Sequence, residues 1–288
     1  MIMLLKKLSL LNIYYKKNIK SNFLAIKRRN RETFLKYTLK LNLGFIFHFL
    51  FNLWVGKLNT KKLFFKSKDL KIYFIYKSRI IFHYALGIEY RLNELEKSYL
   101  LDKIIFNDGD IFIDCGSNIG EVSLSLFRRN PKLKGFLFEI EKPEIEASKK
   151  NLKAYDVIHY NVALSDKDGK IKYYSKPSSA DTSIIKIIDA NEKIIESTKL
   201  DSFFRNNSIS KCKFLKLEAE GAEIEVLNGG LDYALKRIQY VSIDSGPERG
   251  INEESTLSKT NDIMVKNGFN LIFCSRLRDV NLYKNSRY

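Results

Sequence analysis

The feature that most constrains this chain is an alternation of short apolar runs with helical stretches from Asp108 onward. The runs are IFIDC (111–115), GFLFEI (135–140), VIHYNVAL (157–164), FLKLEA (214–219), YVSID (240–244) and NLIFC (270–274). Between them, the sequence predicts helices over 119–129, 143–154, 222–236 and 255–267. That rhythm is the signature of parallel βαβ units. Strands that are apolar at nearly every position need helices on both faces of the sheet. The expected class is therefore α/β, a doubly wound and mostly parallel sheet. Ligands of such sheets bind beyond the carboxyl ends of the strands, so the residue ending each run carries the chemistry.

The lead ahead of this pattern differs in composition. Residues 1–68 hold 16 Lys/Arg and one acid, Glu32, whereas the other 220 residues hold 34 basic and 32 acidic groups. The net charge of +17 thus belongs almost wholly to the lead. Residues 1–68 read as a basic, largely helical N-terminal extension. Residues 69–107 read as lead-in elements, with KIYFIY and IIFHYAL as strands and NELEKSYLLDKII as a helix. Residues 108–288 are the main domain. The most apolar window, Leu41–Val55, is broken by Asn42, His48 and Asn52 and falls short of the roughly 20 residues of a spanning helix. No signal-peptide pattern opens the chain. The expectation is a cytoplasmic protein, peripheral at the inner membrane surface if KRRNR (27–31) meets anionic headgroups.

Cys115, Cys212 and Cys274 are widely spaced, each in or beside a strand-like run, and read as small buried hydrophobes in a reducing compartment. The three histidines (His48, His83, His159) give no metal-ligand spacing.

The first run ends on Asp114, and Gly116-Ser117-Asn118-Ile119-Gly120 turns from strand into helix. Glycine at 116 and 120 allows a tight bend and a close ligand approach. A dinucleotide loop would read GxGxxG and hold a pyrophosphate on bare amides at a helix N-terminus. Here the spacing is GxxxG, and a carboxylate at 114 would repel a pyrophosphate by a few kcal/mol at an effective dielectric of about 20. It would attract a cation. S-adenosylmethionine, with its ammonium and sulfonium and no phosphate, fits that charge, and a nicotinamide dinucleotide does not.

The second run ends at Glu139, one βαβ unit downstream, where an acid can accept hydrogen bonds from ribose hydroxyls. Glu141 competes for that role. KLEAEGAE crowds Glu218, Glu220 and Glu223 at a strand-to-helix turn, where mutual repulsion raises at least one pKa. The fifth run ends Ser242-Ile243-Asp244, followed by Gly246-Pro247-Glu248-Arg249 in a shaped loop.

Taken in order, these residues resemble the FkbM-type family of S-adenosylmethionine-dependent methyltransferases, from about Asp108 to Tyr283. The blocks are DGDIFIDCGSNIG, FEIEKPEIEASKKNL, NVALSDKDGKIKYY (161–174), Lys199-Leu200-Asp201 and KLEAEGAEIEVLNGG. Departures are Ser117 for the usual alanine, Ile140 for a proline and Glu218 for an aspartate. The resemblance implies a seven-stranded Rossmann-like sheet. It also implies that Asp114, Gly116, Asn118 and Gly120 line the methionine and ribose side of S-adenosyl-L-methionine, Glu139 its ribose hydroxyls, and Asn161 and Ala163 its adenine. Glu218 and Glu220 would face the transferred methyl.

In-line methyl transfer needs positioning above all, and a hydroxyl acceptor also needs a base. With no histidine ending a strand, a carboxylate is expected in that role, from Glu218, Glu220 or Asp244. The Glu-Ala-Glu-Gly turn replaces the Asn/Asp-Pro-Pro-aromatic turn of nucleic-acid amine methylation, so nucleic acid is not the expected acceptor. A hydroxyl of a sugar, glycan or other small molecule is. The alternatives are a catalytically degenerate methyltransferase fold and a protein that binds a membrane or nucleic-acid surface through its basic lead.

Overall fold

The computed structural model describes residues 57–59, 63–67, 70–76, 83–84, 86–176 and 181–288. The helical reading of residues 1–56, the apolar window Leu41–Val55 and the KRRNR cluster lie outside the described residues. Where the expected helical lead enters the described part, it is strand instead. β1 (Lys57–Asn59), β2 (Phe64–Ser67) and β3 (Leu70–Tyr73) form an antiparallel sheet in that order. His83 and Tyr84, expected within a strand, are helical, and α1 (Ile88–Ser98) follows.

The chain continues with β4 (Ile111–Cys115), α2 (Glu121–Arg129), β5 (Lys134–Phe138), α3 (Lys142–Asn151) and β6 (Val157–Tyr160). A smaller sheet comes next, from β7 (Ala163–Leu164), β8 (Gly169–Lys176), β9 (Asp181–Ser183) and β10 (Asn191–Thr198). The chain returns through α4 (Leu200–Asn206), β11 (Cys212–Leu217), α5 (Glu223–Asn228) and β12 (Ile238–Asp244). A short hairpin of β13 (Pro247–Arg249) and β14 (Glu254–Ser255) precedes α6 (Leu257–Lys266). β15 (Phe269–Cys274) and β16 (Val280–Asn285) close the fold.

The seven-stranded sheet runs β15-β16-β12-β11-β4-β5-β6. β11, β4, β5, β6 and β12 pair in parallel, and β16 is antiparallel to both its neighbours. The doubly wound, mostly parallel expectation therefore holds. Its physical cause is visible residue by residue. Phe112, Leu137 and Phe214 point into one core cluster, while Ile113, Phe136 and Leu215 point into the other. Successive strand residues face opposite sides, so a strand apolar at every position has two greasy faces to cover. Each fully buried Leu, Ile or Phe contributes roughly 1.5–3 kcal/mol, which fixes the helices on both sides.

Three stretches depart from expectation. VIHYNVAL is two strands: β6 stays in the large sheet, while β7 pairs with β10 in the small one. β16 was not foreseen because Asn281 and Asn285 break its apolar pattern, yet both are buried. Asn285 donates its amide to the carbonyls of Leu235 and Ile238, each at 3.0 Å, which makes the burial tolerable. Cys115 and Cys212 are buried as expected, but Cys274 is exposed on the edge strand. No helix among the described residues is long and apolar enough to cross a membrane.

Candidate functional site

Strand order runs outward in opposite directions from the junction of β4 and β11, the arrangement that opens a crevice at the carboxyl ends. A cleft of about 300 Å³ lies there. Its floor is the β4 turn. Gly116 has φ +72°, and a Cβ on it would stand 1.9 Å from the Glu218 carbonyl oxygen. No side chain fits between the two strands at that point, so the glycine is required by the approach of β11. Asn118 also takes a left-handed conformation, at φ 50°. Gly120, at φ +82°, lies beside α3, where a Cβ would meet Ser148 Oγ at 2.6 Å. Gly120 thus serves helix packing and is not in the cleft wall.

Asp114 is the main correction. Its carboxylate is fully buried and faces inward instead of lining the cleft. Ser123 Oγ donates to it at 2.6 Å, and Lys216 Nζ lies 3.2 Å away. Lys216, itself buried, also donates to the carbonyls of Cys115 (3.0 Å) and Gly116 (2.7 Å) and pairs with Glu218 at 3.0 Å. Lys216 thus neutralises the charge that the sequence reading assigned to ligand selection, and ties the turn to β11. The cleft is nevertheless acidic. Glu121, Glu139, Glu141, Glu144, Glu218 and Glu220 line it against Arg91, Lys216 and Arg278.

Glu139 follows directly on β5. Its Oε2 accepts the Asn118 amide at 2.8 Å and its Oε1 the Glu141 amide at 2.9 Å. Burial pushes its carboxyl up, and these backbone donors oppose the rise. Each oxygen keeps further acceptor capacity, so the carboxylate is oriented without being saturated. Asn161 is spent elsewhere: its amide donates to the carbonyls of Glu139 (3.0 Å) and Ile140 (2.9 Å). It is exposed and outside the cleft wall, whereas Ala163 is in it.

Across the cleft, Glu218 accepts from Arg278 at 2.6 Å as well as from Lys216. Burial pushes the Glu218 carboxyl up, but Lys216 and Arg278 outweigh it and hold the group well below the usual range. So low a pKa makes Glu218 a poor base. Arg278 also pairs with Asp244 at 2.7 Å. Asp244 is buried behind that arginine and does not line the cleft, though burial and, against Arg278, the Glu218 charge raise its pKa. Glu220 does line the cleft, in a left-handed conformation. Glu248 and Asp244 both reach Gly246, each with a carboxyl oxygen 3.5 Å from where a Cβ on that glycine would sit. Burial, then Asp244, Glu218 and Glu223, push it up to about 8.

The sequence reading missed the wall supplied by α1 and by the β15–β16 turn. Arg91, Leu95 and Tyr99 recur at every fourth position of one stretch and all line the cleft. That spacing was the available signal. Arg91 pairs with Glu121 at 3.3 Å, and Tyr84 donates its hydroxyl to the same carboxylate. His83 lies in this wall too. The Arg278 and Lys216 charges stand 5.2 and 5.4 Å from the Tyr99 ring centre. Among the described residues no group of His, Cys, Asp and Glu could hold a metal ion.

The donor set fits a cationic cofactor with a ribose. The cleft is acidic, carries no phosphate-binding glycine loop, and places an oriented carboxylate at the end of β5. Two buried hydroxyls in its wall, Ser117 Oγ and Thr182 Oγ1, also lack a protein partner, which marks surface shaped for a polar ligand.

A family model described as a methyltransferase FkbM domain matches residues 114–270. No curated protein matches the chain by sequence. Among solved structures, the precorrin-6y C5,15-methyltransferase of Geobacter metallireducens is similar at 12% identity and a TM-score of 0.40, over 77% of this chain and 94% of that one. An S-adenosylmethionine-dependent methyltransferase of Aquifex aeolicus is similar at 12% identity and 0.41, over 68% and 95%. M. capricolum TrmK, solved with S-adenosylhomocysteine, is similar at 12% and 0.39, over 69% of each chain.

Proposed function

The chain belongs to the FkbM family of S-adenosylmethionine-dependent methyltransferases, and from that premise we propose that it methylates a hydroxyl of a sugar, glycan or other small molecule. One observation carries the reading. An acidic cleft at the switch point of the sheet has an oriented, unsaturated carboxylate (Glu139) on one wall and Glu220 on the other.

In this reading Glu139 would hold the ribose hydroxyls, with Gly116, Ser117, Asn118 and Ala163 around the rest of the cofactor. When bound, S-adenosylmethionine supplies an electrophilic methyl group on a sulfonium. Glu220 would take the proton from the acceptor hydroxyl. Glu218 is too strongly stabilised as an anion for that task, and Asp244 is shielded by Arg278. Arg278 and Lys216 would instead keep Glu218 fixed and ionised at the reacting end. Tyr76 and His83 line the same cleft and offer aromatic faces for a sugar ring.

The test is transfer of labelled methyl from S-adenosylmethionine to a panel of monosaccharides, oligosaccharides and lipid-linked sugars. The expected product is a methyl ether, which survives alkali, and Glu220→Gln should lower its rate about 100-fold, within the usual range for a general base. Saturable cofactor binding with no transfer to any hydroxyl acceptor would favour a degenerate, binding-only fold.

A further inference from the structure

The small sheet β7-β10-β8-β9 enters the cleft with one residue that nothing else in the fold employs. Thr182, Ser183 and Ile184, from one edge of that sheet, line the cleft, as do Val162, Ala163 and Leu164 at and just before the strand of its other edge. Ser183 Oγ accepts the Ile185 amide at 3.1 Å. The Thr182 hydroxyl is buried and has no protein partner. A buried hydroxyl left unpaired is costly, and such groups call for an explanation.

A chain of contacts also links Thr182 to Glu139. Glu139 Oε1 accepts the Glu141 amide (2.9 Å), Glu141 pairs with Lys193 (3.4 Å), and Lys193 Nζ reaches Ser175 Oγ (3.3 Å). Ser175 pairs across the strands with Thr182. Beyond β9, Ile185 Cγ2 lies 3.7 Å from where a Cβ on Gly250 would sit, so the segment is in reach of structure at both ends. Phe138, Ala163, Leu164 and Ile184 line the same cleft and offer apolar faces to a flat base, to which the Thr182 hydroxyl would add one polar handle. Asn161, the residue expected at the adenine, has its amide occupied by two carbonyls.

We infer that Thr182 reads the edge of the cofactor's adenine, so that base specificity comes from the inserted sheet and not from Asn161. The inference rests on the methyltransferase reading above. A threonine hydroxyl can accept from the exocyclic amine or donate to a ring nitrogen, so the choice of base atom is part of the test.

The full chain is titrated by calorimetry with S-adenosylhomocysteine and with analogues whose adenine lacks the 6-amino group or has N1, N3 or N7 replaced by CH. Wild type is expected to bind at least one analogue about five- to tenfold more weakly than the parent, the worth of one buried hydrogen bond. Thr182→Val should bind the parent about five- to tenfold more weakly and lose that discrimination, while Thr182→Ser keeps both affinity and discrimination. The serine variant and a melting curve of each protein separate lost contact from lost fold. Wild-type affinity in Thr182→Val, or unchanged discrimination, overturns the inference and leaves the methyltransferase reading standing. No binding of the parent by wild type overturns both.

Discussion

Replacing Glu139 by alanine is expected to weaken S-adenosylmethionine binding by at least roughly 100-fold, because a hydrogen bond to a charged group is worth about 1.5–3 kcal/mol and two ribose hydroxyls would lose theirs. The amides of Asn118 and Glu141 would lose their acceptor as well, which loosens the β4 turn and the start of α3. The effect has a pH counterpart. Burial raises the Glu139 carboxyl above its ordinary value, and the ionised form is the better acceptor for ribose hydroxyls. Affinity should therefore fall as pH drops into the acidic range, and fall less in Glu139→Gln. Calorimetric titration across pH checks both. An alanine variant within about threefold of wild type, well under the worth of one such bond, would remove Glu139 from the cofactor site.

The second large effect is on stability. Lys216→Met should destabilise the fold by about 3–5 kcal/mol, the cost of breaking a buried ion pair from one side. It would leave Asp114, whose carboxylate is buried with Ser123 as its remaining donor, and Glu218 with Arg278 as its remaining ion pair. In a domain of this size that is a drop in melting temperature of roughly 10 °C. Adding Asp114→Asn should recover part of the loss, because the two sites share one interaction. A double variant no more stable than the single one, or a Lys216→Met protein that melts with wild type, would show that the pair contributes little. The same network governs acid sensitivity. The folded-state pKa of Glu218 is depressed, so its contribution is present above the unfolded value of about 4.3 and is lost as pH falls below it. Glu218→Gln should flatten that acid-side decline.

Much of this could be read in the sequence, and the part that could not has physical causes. IFIDC became β4 residue for residue, because a strand covered on both faces must be apolar throughout. The pairing of β8 with β10 was invisible. Lys170 and Lys172 on β8 stand against Glu196 and Glu192 on β10, with Lys172 and Glu192 2.8 Å apart, and such charged stretches read as loop. At the site, the ends of β4, β5 and β11 were found in the right order, since a parallel sheet gathers strand ends at one edge. Side-chain direction was not. Asp114 was expected to meet the ligand, but at the end of β4 it faces inward against Lys216, two residues before Glu218 on the adjoining strand. Arg278 escaped notice because it comes from a turn sixty residues after Glu218 in the chain. Asn118, expected on the methionine and ribose side of the cofactor, gives its backbone amide to Glu139.

The most direct measurement is a calorimetric titration of the full chain with S-adenosylmethionine and, separately, with NAD. The acidic cleft and the oriented Glu139 carboxylate predict saturable one-to-one binding of S-adenosylmethionine and no heat from NAD at the same concentrations. Equal binding of NAD, or no saturable binding of S-adenosylmethionine, would contradict the account.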